Sequence, residues 1–275
     1  MITLNHLVRR NRDVSAESFR DYWLDTHANA CAALAPALGI RKFTACETMH
    51  GDEVNKTLQQ IYNTAADSYD FIDQMVINDL AVFKQGMAEA DTVAALKSLF
   101  ESSVEFIDVA RSDYWFSIEL PQVFPGDPCR ATWENTLLKV FYVPRHHARL
   151  SLQQAQLHWN SCHGAMAREF VEFLPYVKYV QGHRIESKVC DEMKRTLGAE
   201  FENIDLMIGQ AEAWIDRRVL PSLQGPEVER MMGMLVEDIA LFVESTVSHI
   251  FATKEHVFLD QPLLVGKVPA LFDAD

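Results

Sequence analysis

Several features that define common protein classes are missing from this 275-residue sequence. No stretch approaches the roughly eighteen consecutive apolar residues that a membrane-spanning helix needs, so no transmembrane helix is predicted. The five cysteines form an odd number and include no Cys-x-x-Cys pair, so neither a disulfide framework nor a structural zinc site is expected. The N-terminal segment has no apolar run of signal-peptide length. These features together favour a reducing, cytoplasmic location.

Positive charge is also scarce. The sequence has 25 Lys and Arg residues against 39 Asp and Glu residues, which gives a formal net charge of −14. Such acidity repels phosphate backbones and anionic bilayers, so neither nucleic acid nor a membrane is an expected partner. The Gly-x-Gly-x-x-Gly, P-loop and Gly-x-Ser-x-Gly motifs of nucleotide-binding proteins and serine hydrolases do not occur. In contrast, 48% of the residues are apolar, which is enough for a large core.

The chain repeats itself at an offset of 136 residues, most clearly in two copies of a Trp-x-x-x-His motif. Trp23 and His27 in the first copy correspond to Trp159 and His163 in the second. The alignment runs without gaps over residues 3–48 and 139–184. Its other identical pairs are Arg9/Arg145, Ser15/Ser151, Leu38/Leu174 and Lys42/Lys178. A repeat of this length predicts two units of the same architecture.

Each copy predicts the same order of elements. Strands are expected at residues 4–8, 40–49, 69–77 and 113–120, and again at 137–143, 177–185, 201–209 and 256–260. The two third strands share an Ile-Asp-x-Met core. Helices are expected after Ser15 and Ser151, whose hydroxyls suit an N-cap, and Gln154 adds a capping box in the second copy. Because a longer helical pattern follows each third strand, the order is βαββαβ twice.

A βαββαβ unit forms one antiparallel sheet with both helices on one face. The bare face needs cover, and two units in one chain can pack sheet to sheet. The predicted fold is therefore α+β, with two ferredoxin-like repeats that form a pseudo-symmetric barrel. The first repeat is expected at residues 1–120 and the second at 137–275. A linker with three prolines and a glycine is expected between them, at 121–136.

The segment SAESFRDYWLDTHANACAALAPALGIRKF resembles the helix-one signature of the EthD proteins. The residues that match this signature are Ser15, Phe19, Trp23 and His27 in the first copy, and Ser151, Trp159 and His163 in the second. Ala155 replaces the phenylalanine in the second copy. The resemblance implies a tandem EthD-like protein with a fused dimeric α/β barrel. That superfamily includes cofactor-free monooxygenases, lactone isomerases, polyketide cyclases and heme proteins, so the fold leaves the chemistry open.

The repeated histidines are the main catalytic candidates. His27 and His163 share a helical face with apolar residues and are expected to point toward the sheet. In the resembling superfamily, ligand pockets often lie between helices and sheet. Imidazole titrates near neutral pH and can move protons to or from an enolisable substrate. The alternative is that each histidine is buried and structural, bonded to a backbone carbonyl.

Equivalent positions on the first strands supply possible partners. His6 and Tyr142 are separated by the repeat offset and could face the same pockets as the helix histidines. A phenol or imidazole there could hold an enolate or phenolate oxygen. Trp23 and Trp159 are candidates for contact with substrate, although packing of the helix on the sheet is the preferred explanation for them.

The second copy carries additional polar groups. His158 is a further catalytic candidate and His183 a further substrate-binding candidate, which makes the second copy the preferred place for the reaction. His158 and Cys162 have a spacing that could bind zinc, and Cys162 could pair with a histidine as a nucleophile. Because no third ligand of matching placement is evident, no metal site is predicted.

The sequence therefore predicts a small-molecule enzyme that uses histidine acid/base chemistry, without an organic cofactor, on an apolar aromatic or polyketide-like carbonyl compound. Dehydration, isomerisation, cyclisation and decarboxylation fit this chemistry, so a lyase or isomerase is expected, and cofactor-free monooxygenation is a further option. Two alternatives stay open: a heme protein with a helix histidine as axial ligand, and a non-enzymatic ligand carrier or accessory protein. A homo-oligomer is compatible with each of these.

Overall fold

The computed structural model describes residues 1–124, 129–174, 176–222 and 224–263. Residues 125–128 of the expected linker and residues 264–275 of the expected second repeat lie outside the described residues. Within the described ranges, no helix combines the length and the apolar character that crossing a bilayer requires.

Eight strands form one closed antiparallel barrel in the order β1-β3-β2-β8-β5-β7-β6-β4. The strands are β1 (Ile2–Val8), β2 (Ile40–Thr48), β3 (Phe71–Ile77), β4 (Asp113–Val123), β5 (Leu137–Val143), β6 (Tyr176–Ile185), β7 (Gly209–Asp216) and β8 (His249–Asp260). β4 also pairs with β1, which completes the closure. The two halves of the chain are joined where β2 pairs with β8 and β4 pairs with β6. The expected α+β class and barrel are confirmed.

Helices pack on the outer faces of this barrel. They are α1 (Ala16–Asp21), α2 (Ala28–Leu34), α3 (Glu53–Tyr62), α4 (Leu80–Gly86), α5 (Ala90–Ser103), α6 (Leu152–His158), α7 (Gly164–Glu169), α8 (Lys188–Leu197) and α9 (Pro226–Phe242). A π-helical turn, Tyr22–His27, joins α1 to α2, and a second, Trp159–His163, joins α6 to α7. Each Trp-x-x-x-His motif thus lies in a π-helical turn, a feature common at functional sites.

The predicted helix caps are present. The Ser15 hydroxyl accepts the Ser18 backbone N–H at 3.1 Å, and the Ser151 hydroxyl accepts the Gln154 backbone N–H at the same distance. The Gln154 side chain accepts the Ser151 backbone N–H in return, which completes the capping box. The start of both motif helices is therefore set by local sequence.

The side chains of β1 alternate between the two faces of the barrel wall. Ile2 and Leu4 pack with α2 on the outer side, whereas the Asn5 side chain donates to the Ser117 hydroxyl and accepts from Gln210 inside. His6 therefore faces the helices. This alternation places the candidate histidines between helices and sheet rather than in the barrel interior.

The barrel interior contains a buried cation between two carboxylates. Lys139 Nζ lies 2.9 Å from Glu212 Oε2 and 3.5 Å from Glu255 Oε1, and all three side chains are buried. Gln74 Nε2 donates to Glu212 at 2.7 Å, and Trp214 Nε1 donates to Glu255 at 2.9 Å. These bonds satisfy groups that would otherwise make the interior unstable.

One predicted strand is wrong. The sequence predicts the third strand of the second half at 201–209, but β7 begins only at Gly209. Ile204 and Met207, which suggested the strand, instead fill the core of the barrel with Leu7 and Trp115. At Gly209, φ is +141°, and a Cβ would lie 1.9 Å from the Gly182 carbonyl oxygen, so only glycine allows β7 to start here.

Other differences concern lengths and extra helices. β8 begins at His249 rather than at residue 256, and β4 continues to Val123, into the segment expected to be a linker. The helices α3 and α8, each between the second and third strand of its half, are not predicted by the sequence pattern. α3 packs against β8 of the second half, and α8 packs against β4 and α5 of the first. Each extra helix therefore covers the opposite half.

Candidate functional site

The first pocket lies between β1, β3 and the first π-helical turn. His6 on β1 is paired directly with Asp73 on β3, and 3.8 Å separates His6 Nδ1 from Asp73 Oδ2. His27 Nε2 lies 4.0 Å from the same oxygen. The Trp23 indole N–H donates to Asp73 Oδ1 at 3.3 Å. The structure therefore brings together three residues singled out in the sequence, around a carboxylate that was not.

A hydrogen bond fixes the orientation of His27. Ser103 Oγ donates its proton to the Leu99 carbonyl, so at 2.9 Å it accepts the proton of His27 Nδ1. His27 Nε2 therefore carries the lone pair, and the Cys31 sulfur lies 3.4 Å from it. The partner of His27 is a serine hydroxyl, not the backbone carbonyl that a purely structural histidine was expected to find.

An apolar cavity opens beside His27. Cys31 and Tyr114 line it together with aliphatic and aromatic side chains, and the Tyr114 ring stacks on His6 with centroids 3.8 Å apart. Met193 and Leu197, from α8 of the second half, form part of its wall. The first pocket is therefore built by both halves of the chain.

Burial disfavours charge in this pocket. It lowers the pKa of His6 and of His27 from 6.5 to about 3, and the charge of Asp73 only partly opposes this at His27. It raises the pKa of Asp73 from 3.8 to about 6, and it raises the pKa of the Cys31 thiol well above its usual range. At neutral pH the pocket therefore holds neutral imidazoles and one ionised carboxylate.

The second pocket is organised by Asp238 on α9. His158 Nε2 donates to Asp238 Oδ1 at 2.8 Å, and His163 Nδ1 donates to Asp238 Oδ2 at 3.0 Å. Partial burial of Asp238 favours the neutral acid, but the hydrogen bonds from His163 and His158 outweigh it and lower the pKa of Asp238. Because Nδ1 is engaged, Nε2 of His163 is the nitrogen available to the cavity that this residue lines.

That cavity is strongly aromatic. Its aromatic lining residues are Tyr62, Tyr142, Trp159, Tyr176, Tyr179 and Phe242. Tyr62 and the neighbouring Leu58 come from α3 of the first half, so this pocket is also built by both halves. His158 is not among the residues that line the cavity. An apolar wall with few polar groups suits an aromatic ligand.

Tyr142 and His183 occupy different places around Trp159. The Tyr142 hydroxyl is buried near Ser245 and Ser248, and it forms no hydrogen bond of ordinary geometry with the described residues. Burial raises the pKa of Tyr142. His183 stacks on Trp159 with centroids 4.8 Å apart and lies 3.1 Å from Gln181 Oε1. His183 thus supports the wall rather than lining the cavity.

The two pockets are not copies of each other. Where His6 pairs with Asp73 in the first half, Tyr142 pairs with Ala211 in the second. The sequence did not reveal Asp73 because the shared Ile-Asp-x-Met core aligned it with Asp205, which is outside β7. Asp238 lies in the long helical pattern of the second half. The repeat gave it no equivalent residue in the first half that would have singled it out.

The suggested pairing of His158 with Cys162 is not formed. Cys162 is exposed, whereas His158 Nε2 is bonded to Asp238. The residues that resembled a zinc or thiol site in the sequence therefore do not share one pocket.

The heme alternative needs a helix histidine with a free nitrogen. His27 Nε2 faces the Cys31 sulfur at 3.4 Å and Asp73 Oδ2 at 4.0 Å. His163 Nε2 is available to its cavity. The heme alternative stays a prediction.

Comparison with known proteins supports the resemblance in the first half. Residues 11–110 match the sequence profile of the EthD domain. No curated protein matches the chain. Among solved structures, an anthrone oxidase-like protein superposes with a TM-score of 0.60 at 10% identity, covering 97% of this chain and 96% of the other. A candidate monooxygenase from Fusobacterium nucleatum superposes with a TM-score of 0.50 at 8% identity, covering 97% and 98%. At these identities the likeness shows the fold alone.

Proposed function

We propose that this protein is a small-molecule enzyme whose second pocket removes a proton from an aromatic carbonyl compound, without an organic cofactor. The observation that carries this proposal is the pairing of His163 Nδ1 with Asp238 at the edge of an aromatic cavity. A carboxylate on one imidazole nitrogen orients the ring and stabilises the imidazolium that forms when the other nitrogen takes a proton.

The chain's own residues supply the parts of an enolisation. His163 Nε2 takes a proton from a carbon next to the substrate carbonyl. The electron pair of that C–H bond forms a carbon–carbon double bond, and the carbonyl π electrons move to oxygen. Tyr142 lines the same cavity, and its hydroxyl has no hydrogen-bond partner among the described residues. This hydroxyl donates a hydrogen bond to the developing oxyanion. Return of the proton to another carbon, or loss of a leaving group, gives an isomerase or a lyase.

The substrate class follows from the lining. Aromatic side chains contact an aromatic ring system over its faces and edges, and the cavity offers few polar groups to a charged ligand. The anthrone oxidase-like protein, which has a similar fold, is named after a compound of the same class. Anthrone has an acidic C–H conjugated with a carbonyl, so it is a suitable probe.

The fold also supports a tandem origin. The strands of the first half lie in the order β4-β1-β3-β2 and those of the second in the order β8-β5-β7-β6. Both orders are those of a ferredoxin-like βαββαβ sheet. We therefore propose two ferredoxin-like units, each with one pocket between its helices and sheet.

The test is hydrogen–deuterium exchange of anthrone in buffered D₂O, followed by NMR under exclusion of O₂. The full-length protein should accelerate exchange at the acidic carbon. His163→Gln should reduce the rate by about 10²-fold or more, and Tyr142→Phe by less, because it removes one hydrogen bond to the oxyanion. His50→Gln, which changes an exposed histidine outside the pocket, serves as the control and should keep the full rate.

Two results would contradict the proposal. One is an exchange rate no higher than the rate measured in the same buffer with an equal concentration of an unrelated folded protein. The other is full exchange in His163→Gln with loss in His27→Gln, which would place the base in the first pocket.

A further inference from the structure

We propose that His6, His27 and Asp73 in the first pocket bind one divalent transition-metal ion, of the Fe(II), Zn(II) or Co(II) class. One ligand atom from each residue lies within 4.8 Å of the other two. Among the described residues, this is the one group of three or more His, Cys, Asp or Glu side chains that meets this geometry. The site is separate from the proposed reaction at His163 and does not depend on it.

Several buried polar atoms at this place have no hydrogen-bond partner among the described residues. Both ring nitrogens of His6 and Oδ2 of Asp73 are buried, and none has a hydrogen-bond partner among the residues that the structure describes. Buried polar groups are normally hydrogen-bonded, and an unsatisfied one destabilises the folded state. One His6 nitrogen and Asp73 Oδ2 lie close to His27 Nε2, so one lone pair from each of the three residues is directed to a shared position that a cation can occupy.

The surrounding contacts hold the ligands as metal sites require. Trp23 donates to Oδ1 of Asp73, which leaves Oδ2 for the ion. Ser103 accepts the Nδ1 proton of His27, which leaves the Nε2 lone pair for the ion. Such outer hydrogen bonds are a regular feature of metal-binding histidines and carboxylates.

The distances allow coordination after a small contraction. Asp73 Oδ2 lies 3.8 Å from His6 Nδ1 and 4.0 Å from His27 Nε2. Bonds of about 2.1 Å to an ion place neighbouring ligand atoms roughly 3.0–3.5 Å apart. These two pairs must therefore close by about 0.3–1.0 Å. The His6–His27 pair, which lies within 4.8 Å, must close as well, and side-chain rotation can supply these movements.

The ligand set restricts the type of ion. Two imidazoles and one carboxylate that leave further positions open are typical of non-heme Fe(II) sites and of catalytic zinc sites. The Cys31 sulfur, 3.4 Å from His27 Nε2, is next to such a position. The apolar cavity lined by His27, Cys31 and Tyr114 provides the access route for the ion and for a small ligand on it.

The second half supplies an internal control. Its helix histidine, His163, lies opposite a strand pair in which Tyr142 and Ala211 stand where the first half has His6 and Asp73. The same fold therefore presents the same histidine without the other two ligands. We therefore expect ion binding to depend on His6, His27 and Asp73 and not on His163.

The experiment is a Co(II) titration of the chelator-treated full-length protein, read by visible ligand-field absorption. One equivalent should bind saturably, Zn(II) should displace it, and the melting temperature should rise with ion concentration. Asp73→Asn and His27→Gln should abolish saturation. Trp23→Phe, which keeps all three ligands, should weaken binding about 10- to 100-fold. His163→Gln should bind as the wild type does.

Any of three results would overturn the assignment: no saturable Co(II) binding by the wild type, binding unchanged in both Asp73→Asn and His27→Gln, or binding lost in His163→Gln. Because a ligand variant could lose binding by unfolding, the melting curve of each variant is recorded in chelator. Trp23→Phe gives a second reading, since graded weakening in a folded protein is expected only of a residue that positions a ligand. None of these readouts uses turnover, so they stay informative whatever the anthrone test shows.

Discussion

The indole of Trp23 lies flat against the imidazole of His27, with ring centroids 3.8 Å apart and planes inclined by 15°. In the second copy the corresponding tryptophan stacks instead on His183, a residue of β6. The repeated motif therefore has two different surroundings. In the first half the histidine is enclosed with a carboxylate and a second imidazole, and in the second half it is left at a cavity wall.

The enclosed histidines predict a loss of stability on acidification. In the unfolded chain His6 and His27 bind protons below pH 6.5, whereas burial lowers the pKa of each to about 3 in the folded state. The unfolded state therefore binds more protons as pH falls from 6.5 toward 3, and the free energy of unfolding falls by up to about 1.4 kcal/mol per pH unit for each histidine. Asp73, whose pKa burial raises to about 6, offsets part of this between pH 6 and 4.

Urea unfolding in chelator, from about pH 7.5 to about pH 5, checks this expectation. The variant His6→Gln/His27→Gln should show a flatter dependence on pH than the wild type. His50→Gln changes an exposed histidine and should keep the wild-type slope. An unchanged slope in the double variant would mean that the two imidazoles are already charged in the folded protein.

Asp238 is predicted to matter for rate more than for affinity. Asp238→Asn removes the charge that stabilises a His163 imidazolium, so anthrone exchange should slow by about 10²-fold or more, with little change in the concentration that half-saturates the enzyme. Glu237→Gln is the matched control, because Glu237 is the exposed neighbour on the same helix. Equal rates in both variants would show that the carboxylate does not assist the base.

The charged barrel interior predicts a large loss of stability when its cation is removed. Lys139→Met leaves Glu212 and Glu255 buried without their shared partner, and such changes cost about 3–5 kcal/mol. Lys56→Met, which breaks an exposed ion pair with Glu53, should cost less than about 1 kcal/mol. Urea midpoints for the two variants make the comparison, and similar losses would show that the interior charges are solvated.

Gly209 is predicted to tolerate no side chain. In Gly209→Ala the new Cβ would meet the Gly182 carbonyl at a backbone φ of +141°, so we expect a loss of about 3 kcal/mol or more. Gly233→Ala is the opposite case, since a Cβ at this helical position has open space and should stabilise the protein by up to about 1 kcal/mol. Thermal melts should separate the two variants in sign.

The sequence predicts most of the fold because helix caps and strands are local signals. These signals are the N-cap serines, Ser15 and Ser151, and the apolar runs of the strands. The internal repeat shows that the same signals occur in both halves of the chain. The predicted strand at 201–209 is wrong because Ile204 and Met207 are buried by contacts with Leu7 and Trp115, which are distant in the sequence. Buried residues at this spacing look like a strand when only the sequence is considered. The helices α3 and α8 contain no repeated motif, so the repeat could not reveal them.

The sites were predicted less completely. Residues within a motif, such as His27 and His163, stand out by repetition. Asp73 and Asp238 reach these histidines from other elements, over separations of 46 and 75 residues. Because each half uses a different carboxylate from a different element, repetition could not show either one.

Each of the helices α3 and α8 covers the half of the chain to which it does not belong, and this affects how mutations act on the two pockets. In a symmetric homodimer with the same exchange, every substitution in the covering helix would alter both pockets at once. Here the two covering helices are separate stretches of one gene, so selection can act on Tyr62 above one pocket while Met193 above the other stays as it is. A single polypeptide of this kind can therefore keep two differently specialised pockets in one barrel.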